Sequence, residues 1–348
     1  LSLFSYIFIG DYMRGYIEIS KNQLIENYKN IKEKVNKDII CVIKSNAYGH
    51  GLLEVAKILA PLSPKMFAVS TIEECMLIRK SLIFVPILLL GSCDNLAYAS
   101  NFRITLSVIS LEYLIILKKS NLPIFIHLLI DTGMNRDGIK PDEVEEALQI
   151  IAKSKLILKG VFTHFASINT YEKQNEIFSK CLVKIPSNGL IIHSQASSTF
   201  LIKNDNITAI RIGLVMYGLD NNVPFTKPIL TLKAKAINEI KISEFEMVSY
   251  NQESVIKDGY IYTIPLGYGD GLLRNHQNIV EVGGLILSQI GITCMDHFMV
   301  YSDTKINLNS VFIVIGSHQT INDIANKNAT IPYEVAAHLS RRIKRIIV

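Results

Sequence analysis

Eight short apolar runs, spaced by longer amphipathic stretches, constrain this chain more than any other feature of its sequence. They are Ile39–Asn46, Met66–Thr71, Pro86–Ser92, Arg103–Ser110, Pro123–Asp131, Leu158–Ala166, Gly189–Ala196 and Ile207–Leu214. Their apolarity is continuous rather than alternating, which marks strands covered on both faces, as in a parallel sheet. Helix starts fall between them. Ser20-x-x-Gln23 has the form of a capping box ahead of Leu24, Tyr28, Ile31 and Val35, and Thr71-x-x-Glu74 has it again. Pro141 suits the first turn of an acidic helix running to about Ser154. Eight β units separated by helices over roughly 200 residues predict a (β/α)8 TIM barrel.

After Gly218 the pattern changes to β-type runs without long helices: Pro228–Ile242, Gly259–Leu266, Ile279–Val282, Leu285–Ile292, Phe298–Tyr301 and Val311–Ile315. A helix-like segment runs from Tyr333 to about Lys344. The 348 residues exceed what one core usually holds. The expected division is therefore a barrel over 20–227 and a C-terminal β-rich domain over 228–348, the latter joined by a strand near 13–19.

The chain is 49% hydrophobic and 19% charged, and no stretch of membrane-spanning length lacks charge or turn residues. No membrane partner is expected. A net charge of +5, spread thinly except at Arg341-Arg342-Ile343-Lys344-Arg345, and the absence of Trp argue against nucleic acid as a partner. The five cysteines are odd in number and form no C-x-x-C pair, which fits a reducing cytoplasm. Leu1 to Gly10 are apolar but lack a basic flank and a small-residue cleavage site, so a secretory signal is not expected, and Met13 is a candidate start.

In such barrels chemistry gathers at the carboxyl ends of the strands. Lys44 ends the first run, Asp131 the fifth with Arg136 just beyond, His164 the sixth and Arg211 the eighth, while Ser197 follows the seventh. A lysine leaving an apolar run is partly desolvated, which favours the neutral amine that forms a Schiff base with an aldehyde. Phosphate groups commonly sit in the loops after the seventh and eighth strands, where Ser197, Gly213 and Leu214 stand.

The chain resembles the bacterial alanine racemases. The likeness rests on Val42-Ile43-Lys44-Ser45-Asn46-Ala47-Tyr48-Gly49-His50-Gly51, Asp131-Thr132-Gly133-Met134-Asn135-Arg136, Thr163-His164-Phe165-Ala166, Arg211-Ile212-Gly213-Leu214-Val215-Met216-Tyr217-Gly218 and Cys294-Met295-Asp296. Val248-Ser249-Tyr250 and Leu266-Gly267-Tyr268-Gly269-Asp270-Gly271 complete it in the same order. The resemblance implies a cytoplasmic isomerase dependent on pyridoxal 5'-phosphate (PLP), which interconverts L- and D-alanine and supplies D-alanine for peptidoglycan. It implies that Lys44 and Tyr250 are the two bases, one on each face of the substrate Cα. Lys44 would also carry the cofactor, Arg211 would meet its pyridine nitrogen, and His164 would support Arg211. Tyr48, Ser197, Gly213, Leu214 and Arg341 would hold its phosphate, and Arg136 would lie near the substrate carboxylate. Tyr268 and Met295 would narrow the access channel from the partner subunit of a homodimer with shared sites.

Three positions depart from the family's pattern. Leu129 stands where many members carry a carbamylated lysine that orients the arginine, so Arg136 needs another anchor, either a bound anion or Asp296. Ser340-Arg341-Arg342 replaces Ser-Tyr-Arg, which substitutes a guanidinium for a phosphate-binding phenol. Gln195-Ala196-Ser197-Ser198 departs from Ala-Asn-Ser, leaving Ser197 or Ser198 to meet the phosphate, with Ser197 favoured by its spacing to His193. Other substrates stay open, serine among them, and so does a non-catalytic PLP carrier; a carrier would have no use for a second domain bearing Tyr250. A decarboxylase of the same barrel class fits the Arg211 segment and Tyr250 less well.

Overall fold

The computed structural model describes residues 14–186 and 188–348. Met13 and the apolar segment before it lie outside the described residues. The chain forms two compact units, Lys21–Pro228 and, around it in sequence, the described residues up to Ser20 with Ile229–Val348.

The first unit is the expected barrel. Its strands are β2 (Asp38–Val42), β3 (Met66–Val69), β4 (Ile87–Leu89), β5 (Ile104–Val108), β6 (Phe125–Leu129), β7 (Ile157–Phe162), β8 (Ile191–His193) and β9 (Ala209–Ile212). Each pairs in parallel with the next, and β9 closes on β2 from Asp38↔Ala209 to Cys41↔Ile212. One side of the interior is packed by Ile40, Val42, Met66, Ala68, Leu88 and Ala209. Another part is polar: Ser107, His127 and His193 are fully buried, and Arg211 nearly so. Because His127 on β6 bonds His193 on β8 with β7 between them, that contact must cross the inside of the barrel.

Two of the connecting helices differ from the sequence signals. Thr71 caps the helix Ile72–Lys80 by accepting from the Glu74 N–H at 3.3 Å, but the Glu74 carboxylate does not complete the box. Residues 141–143 form a turn, so the acidic helix starts at Val144 and ends at Ala152.

The second unit contains β1 (Gly15–Ile19), β10 (Leu230–Lys235), β11 (Asn238–Ile242), β12 (Met247–Val248), β13 (Glu253–Ser254), β14 (Gly259–Ile264), β15 (Ile279–Val282), β16 (Leu285–Ile290), β17 (Phe298–Ser302), β18 (Val311–Ile315) and β19 (Lys344–Ile347). Nine of them form one sheet in the order β11-β14-β17-β16-β15-β18-β10-β1-β19, antiparallel except for β1 beside β19. β1 also pairs with β10, from Gly15↔Ala234 to Ile19↔Leu230. The run Pro228–Ile242 thus breaks at Ala236–Ile237 into two strands that pair with different partners, β18 and β14. The C-terminal segment is likewise not one helix. Its helix covers Pro332–His338, and Lys344–Ile347 is a strand. A short helix, Ile321–Lys327, opens with a capping box between Thr320 and Asp323.

Gly218 ends the 3-10 turn Leu214–Tyr217 at φ 69°, where a Cβ would lie 2.0 Å from the Lys227 carbonyl carbon and oxygen. Both the dihedral and the contact demand glycine. Gly218→Ala should lower the unfolding free energy by at least about 2 kcal/mol. Urea titration checks this, with a loss under half that size as the contrary result.

Candidate active site

The carboxyl mouth of the barrel is built around Arg211, whose guanidinium is buried on β9. Nη1 donates to His193 Nδ1 at 2.8 Å and to the His193 carbonyl at 3.1 Å. Nη2 donates to the carbonyls of Thr163 at 2.8 Å and Ser194 at 3.1 Å, and to His164 Nδ1 at 3.1 Å. The group also stacks 5.3 Å over the Phe162 ring. Nε makes no hydrogen bond to the described residues. Burial, with Arg136 nearby, pushes Arg211 down to about 9, which leaves it protonated near neutral pH.

Since a guanidinium only donates, the imidazoles facing it must accept. His193 Nδ1 is therefore bare and its proton sits on Nε2, which donates to His127 Nδ1 at 2.9 Å. His127 then carries its own proton on Nε2, a buried atom with no partner. Burial and the Arg211 charge hold His127 at about 3, and burial followed by Arg211, Arg136 and Lys44 holds His164 at about 3. All three imidazoles are neutral donors or acceptors.

Lys44 lies two residues beyond β2, at the head of an unusual turn. Ser45, Asn46, Ala47 and Tyr48 all take positive φ, between 52° and 55°, and Gly49 follows at 78°. A left-handed turn costs each L-residue about 1–2 kcal/mol, so the surroundings must enforce it. Glu74 does so from the neighbouring helix: one carboxylate oxygen accepts the Asn46 N–H at 3.1 Å, the other the Ser70 N–H at 3.0 Å. Asn46 in turn accepts from the Leu52 N–H at 2.9 Å. His50 Nδ1 donates to the Ala47 and Tyr48 carbonyls, and its ring stacks on Tyr217 at 4.5 Å. The Lys44 amine is pushed below its ordinary range, first by burial and then by the Arg136 and Arg211 charges, with Glu74 working the other way.

Tyr48 and Gly213 adjoin, since a Cβ at 213 would sit 2.7 Å from Tyr48 Oη. The N–H groups of Gly213 and Leu214 donate to nothing among the described residues. Ser197 is half-buried and Ser198 exposed in the loop after β8, and the buried Ser194 hydroxyl beside Arg211 has no partner. These donors, together with the free Arg211 Nε and a depressed lysine, fit an anionic cofactor bearing an aldehyde and a ring acceptor.

Arg136 follows a loop held by Asp131, which accepts from the Gly133 and Asn135 N–H groups and from Lys140. With Leu129 unable to orient it, Arg136 takes Asp137 as its carboxylate, 3.2 Å from Nε. Asp296 is engaged elsewhere, by Arg14 at 3.0 Å and Arg342 at 2.8 Å within its own unit.

In the second unit, Tyr250 sits in the β12–β13 turn and is 80% exposed. Ser249 Oγ ties that turn to the Ile292 carbonyl, and the Tyr268 and Gly269 N–H groups bond the Cys294 and Met295 carbonyls. Tyr250, Tyr268 and Met295 are thereby attached to one segment, all with exposed side chains. Arg341 is exposed, whereas Arg342 is fixed by Asp270 at 2.6 Å. Sequence reasoning missed Glu74 as a brace and His127 as a member of the Arg211 line; the only signal for the latter was a histidine inside an apolar run.

A barrel with a depressed lysine and a buried arginine at its carboxyl mouth defines an enzyme scaffold with a cofactor-type site. The model of the alanine racemase N-terminal domain matches residues 19–221, and that of the C-terminal domain residues 229–347. The chain belongs to the alanine racemase family. It is 34% identical to alanine racemase 1 of Bacillus subtilis (strain 168), over 97% of this chain and 94% of the relative. Among solved structures it is similar to alanine racemase of Clostridium difficile 630 (TM-score 0.90, 29% identity, 96% of each chain). It is also similar to histidine racemase from Leuconostoc mesenteroides subsp. sake NBRC 102480 (TM-score 0.89, 26% identity, 97% of this chain and 99% of that one).

Glu74→Ala leaves the Asn46 and Ser70 N–H groups without acceptors. It should destabilise the chain by about 2–3 kcal/mol and open the Ser45–Tyr48 turn to protease, with Glu74→Gln losing roughly half as much. Equal protection of that turn in wild type and Glu74→Ala would contradict the bracing role.

Proposed function

We propose that the protein is a PLP-dependent alanine racemase. The observation that carries this reading is the convergence of a desolvated Lys44 with Arg211 at one end of the barrel, in a chain that both family models cover. Lys44 would attach the cofactor. Tyr48, Ser197, the Gly213 and Leu214 N–H groups and Arg341 would hold its phosphate, and Arg211 Nε would donate to its ring nitrogen. Bound PLP supplies an electron sink that acidifies the substrate Cα–H. The chain's own groups do the rest.

A protonated Arg211 can only donate, so it would leave the ring nitrogen of the cofactor unprotonated, weaken the sink and favour return of the proton to Cα. Lys44, its amine favoured as neutral by burial and neighbouring cations, moves the proton on one face of Cα. Tyr250 moves it on the other, and two opposed bases are what inversion requires. His164 holds Arg211 in place, and Arg136 meets the substrate carboxylate as a charge-assisted donor. Tyr268 and Met295 narrow the approach, which favours a side chain as small as a methyl. The product serves peptidoglycan synthesis in the cytoplasm, a compartment consistent with five free cysteines. No helix among the described residues is long and apolar enough to cross a membrane.

Chiral analysis after incubating the PLP-loaded protein with L-alanine should give a racemic mixture. Parallel incubations with L-serine and L-histidine should react far more slowly; preference for either would reassign the substrate. Borohydride reduction and peptide mapping should place the phosphopyridoxyl group on Lys44, and a label on any other lysine would overturn the assignment.

The exposure of Tyr250, Tyr268 and Met295 supports a site shared between two copies in a homodimer, Lys44 from one and Tyr250 from the other. Co-refolding inactive Lys44→Ala and Tyr250→Ala chains makes half the dimers mixed, each with one intact site. Activity should return to roughly a quarter of wild type. No recovery in verified heterodimers would put both bases in one chain.

A further inference from the structure

The amino-terminal mouth of the barrel, at the other ends of the strands, contains a cavity of about 720 Å³ that racemisation leaves unused. That volume falls within the range of roughly 300–1,000 Å³ typical of small-molecule sites. Its wall begins where strands begin: Lys65 precedes β3, Arg103 precedes β5, and Phe125 and Ile191 open β6 and β8. Lys65, Arg79, Arg103 and Lys159 line it, with no carboxylate among the described lining residues.

Two of these cations are spoken for. Lys65 pairs with Asp38 at 3.0 Å, and Arg79 donates to the Ile83 and Val85 carbonyls. The other two are not. The Arg103 guanidinium makes no hydrogen bond or ion pair with the described residues, and its backbone is strained at φ 51°. Lys159 is the extra residue of a bulge, because β6 pairs with β7 at Ile126↔Leu158 and then at His127↔Gly160. Bulges commonly re-aim a side chain. Lys159 lies 5.2 Å over the Phe125 ring. Phe84 and Phe102, 76% and 47% exposed, add apolar surface to the same wall.

His127 supplies an independent sign of a ligand. It is fully buried, it lines the cavity, and its Nε2 has no partner. The line from Arg211 through His193 requires that Nε2 to carry a proton. An unpaired buried donor therefore stands in the wall of a cationic, aromatic cavity.

We propose that this mouth binds a small organic anion with an aromatic-sized apolar body. Arg103 and Lys159 meet its charge, the phenylalanines its body, and the His127 Nε2–H its acceptor atom. Occupancy is felt at the opposite mouth. An acceptor on His127 Nε2–H makes His127 Nδ1 a better acceptor for His193, and His193 Nδ1 a better acceptor for Arg211.

Phenylacetate is the probe, titrated into the full-length, PLP-loaded protein with histidine labelled by ¹⁵N. Calorimetry should give one site per chain, and the imidazole resonances of His127 and His193 should move together along the titration. Phenylacetamide, the same shape without charge, should bind about tenfold more weakly, as should phenylacetate to Arg103→Ala/Lys159→Ala. Both side chains are exposed, so this double variant keeps the fold, and it decides the matter even if His127→Phe does not fold. Binding unchanged in the double variant, equal affinity for the amide, or unmoved His127 resonances at saturation would each overturn the proposal.

Discussion

A guanidinium sealed inside the barrel sets the terms for everything around it. Removing a charge from water is costly unless its donors find acceptors, and the two Nη groups of Arg211 find five, in three carbonyls and two imidazoles, with Nε left over for the site. Those acceptors come from the ends of β7 and β8, so the arginine ties three adjacent strands together where the site must be rigid. It also dictates protonation. With only donors to offer, it strips the proton from His193 Nδ1, and the consequence runs through His193 Nε2 to His127 and across the barrel. Phe162 fills the remaining side, stacked 4.6 Å from His193 and lying under the guanidinium.

The second constraint is the left-handed turn after β2. Four consecutive positive-φ residues without a glycine would not hold alone. Glu74, Asn46 and His50 fix their backbone groups, so Lys44 emerges from an over-determined frame. The burial and nearby cations that lower its proton affinity also depend on that placement. Lys44, Arg136, His164 and Arg211 act on one another electrostatically, which makes the mouth a connected site rather than a set of separate strand ends.

Much of this was legible in the sequence because burial on both faces writes itself as continuous apolar runs. All eight barrel strands lie within or against those runs, and Lys44, Arg211 and His164 stood out as polar residues at their ends. What was hidden has physical reasons. The run Pro228–Ile242 mixes apolar and polar residues in a β-type pattern with no turn residue between Ile229 and Ile237, and only its partners force the break at Ala236–Ile237. Tyr333–Lys344 keeps helical composition, yet pairing with β1 claims Lys344–Ile347 as a strand. Glu74 looked like half of a capping box because the sequence shows its distance from Thr71 and not from Asn46. The left-handed turn carries no glycine signal before Gly49. The sequence leaves Asp296 open to Arg136, but Arg14 and Arg342 already hold it.

The central claim, that Arg211 fixes the tautomers of the histidines across the barrel, is most directly tested by ¹⁵N spectroscopy of the imidazole rings. His193 and His127 should each show a bare Nδ1 and a protonated Nε2, unchanged from pH 8 to about pH 5 because burial and the arginine keep both neutral well below an ordinary histidine's range. A proton on His193 Nδ1, or an imidazolium at either residue within that range, would contradict it.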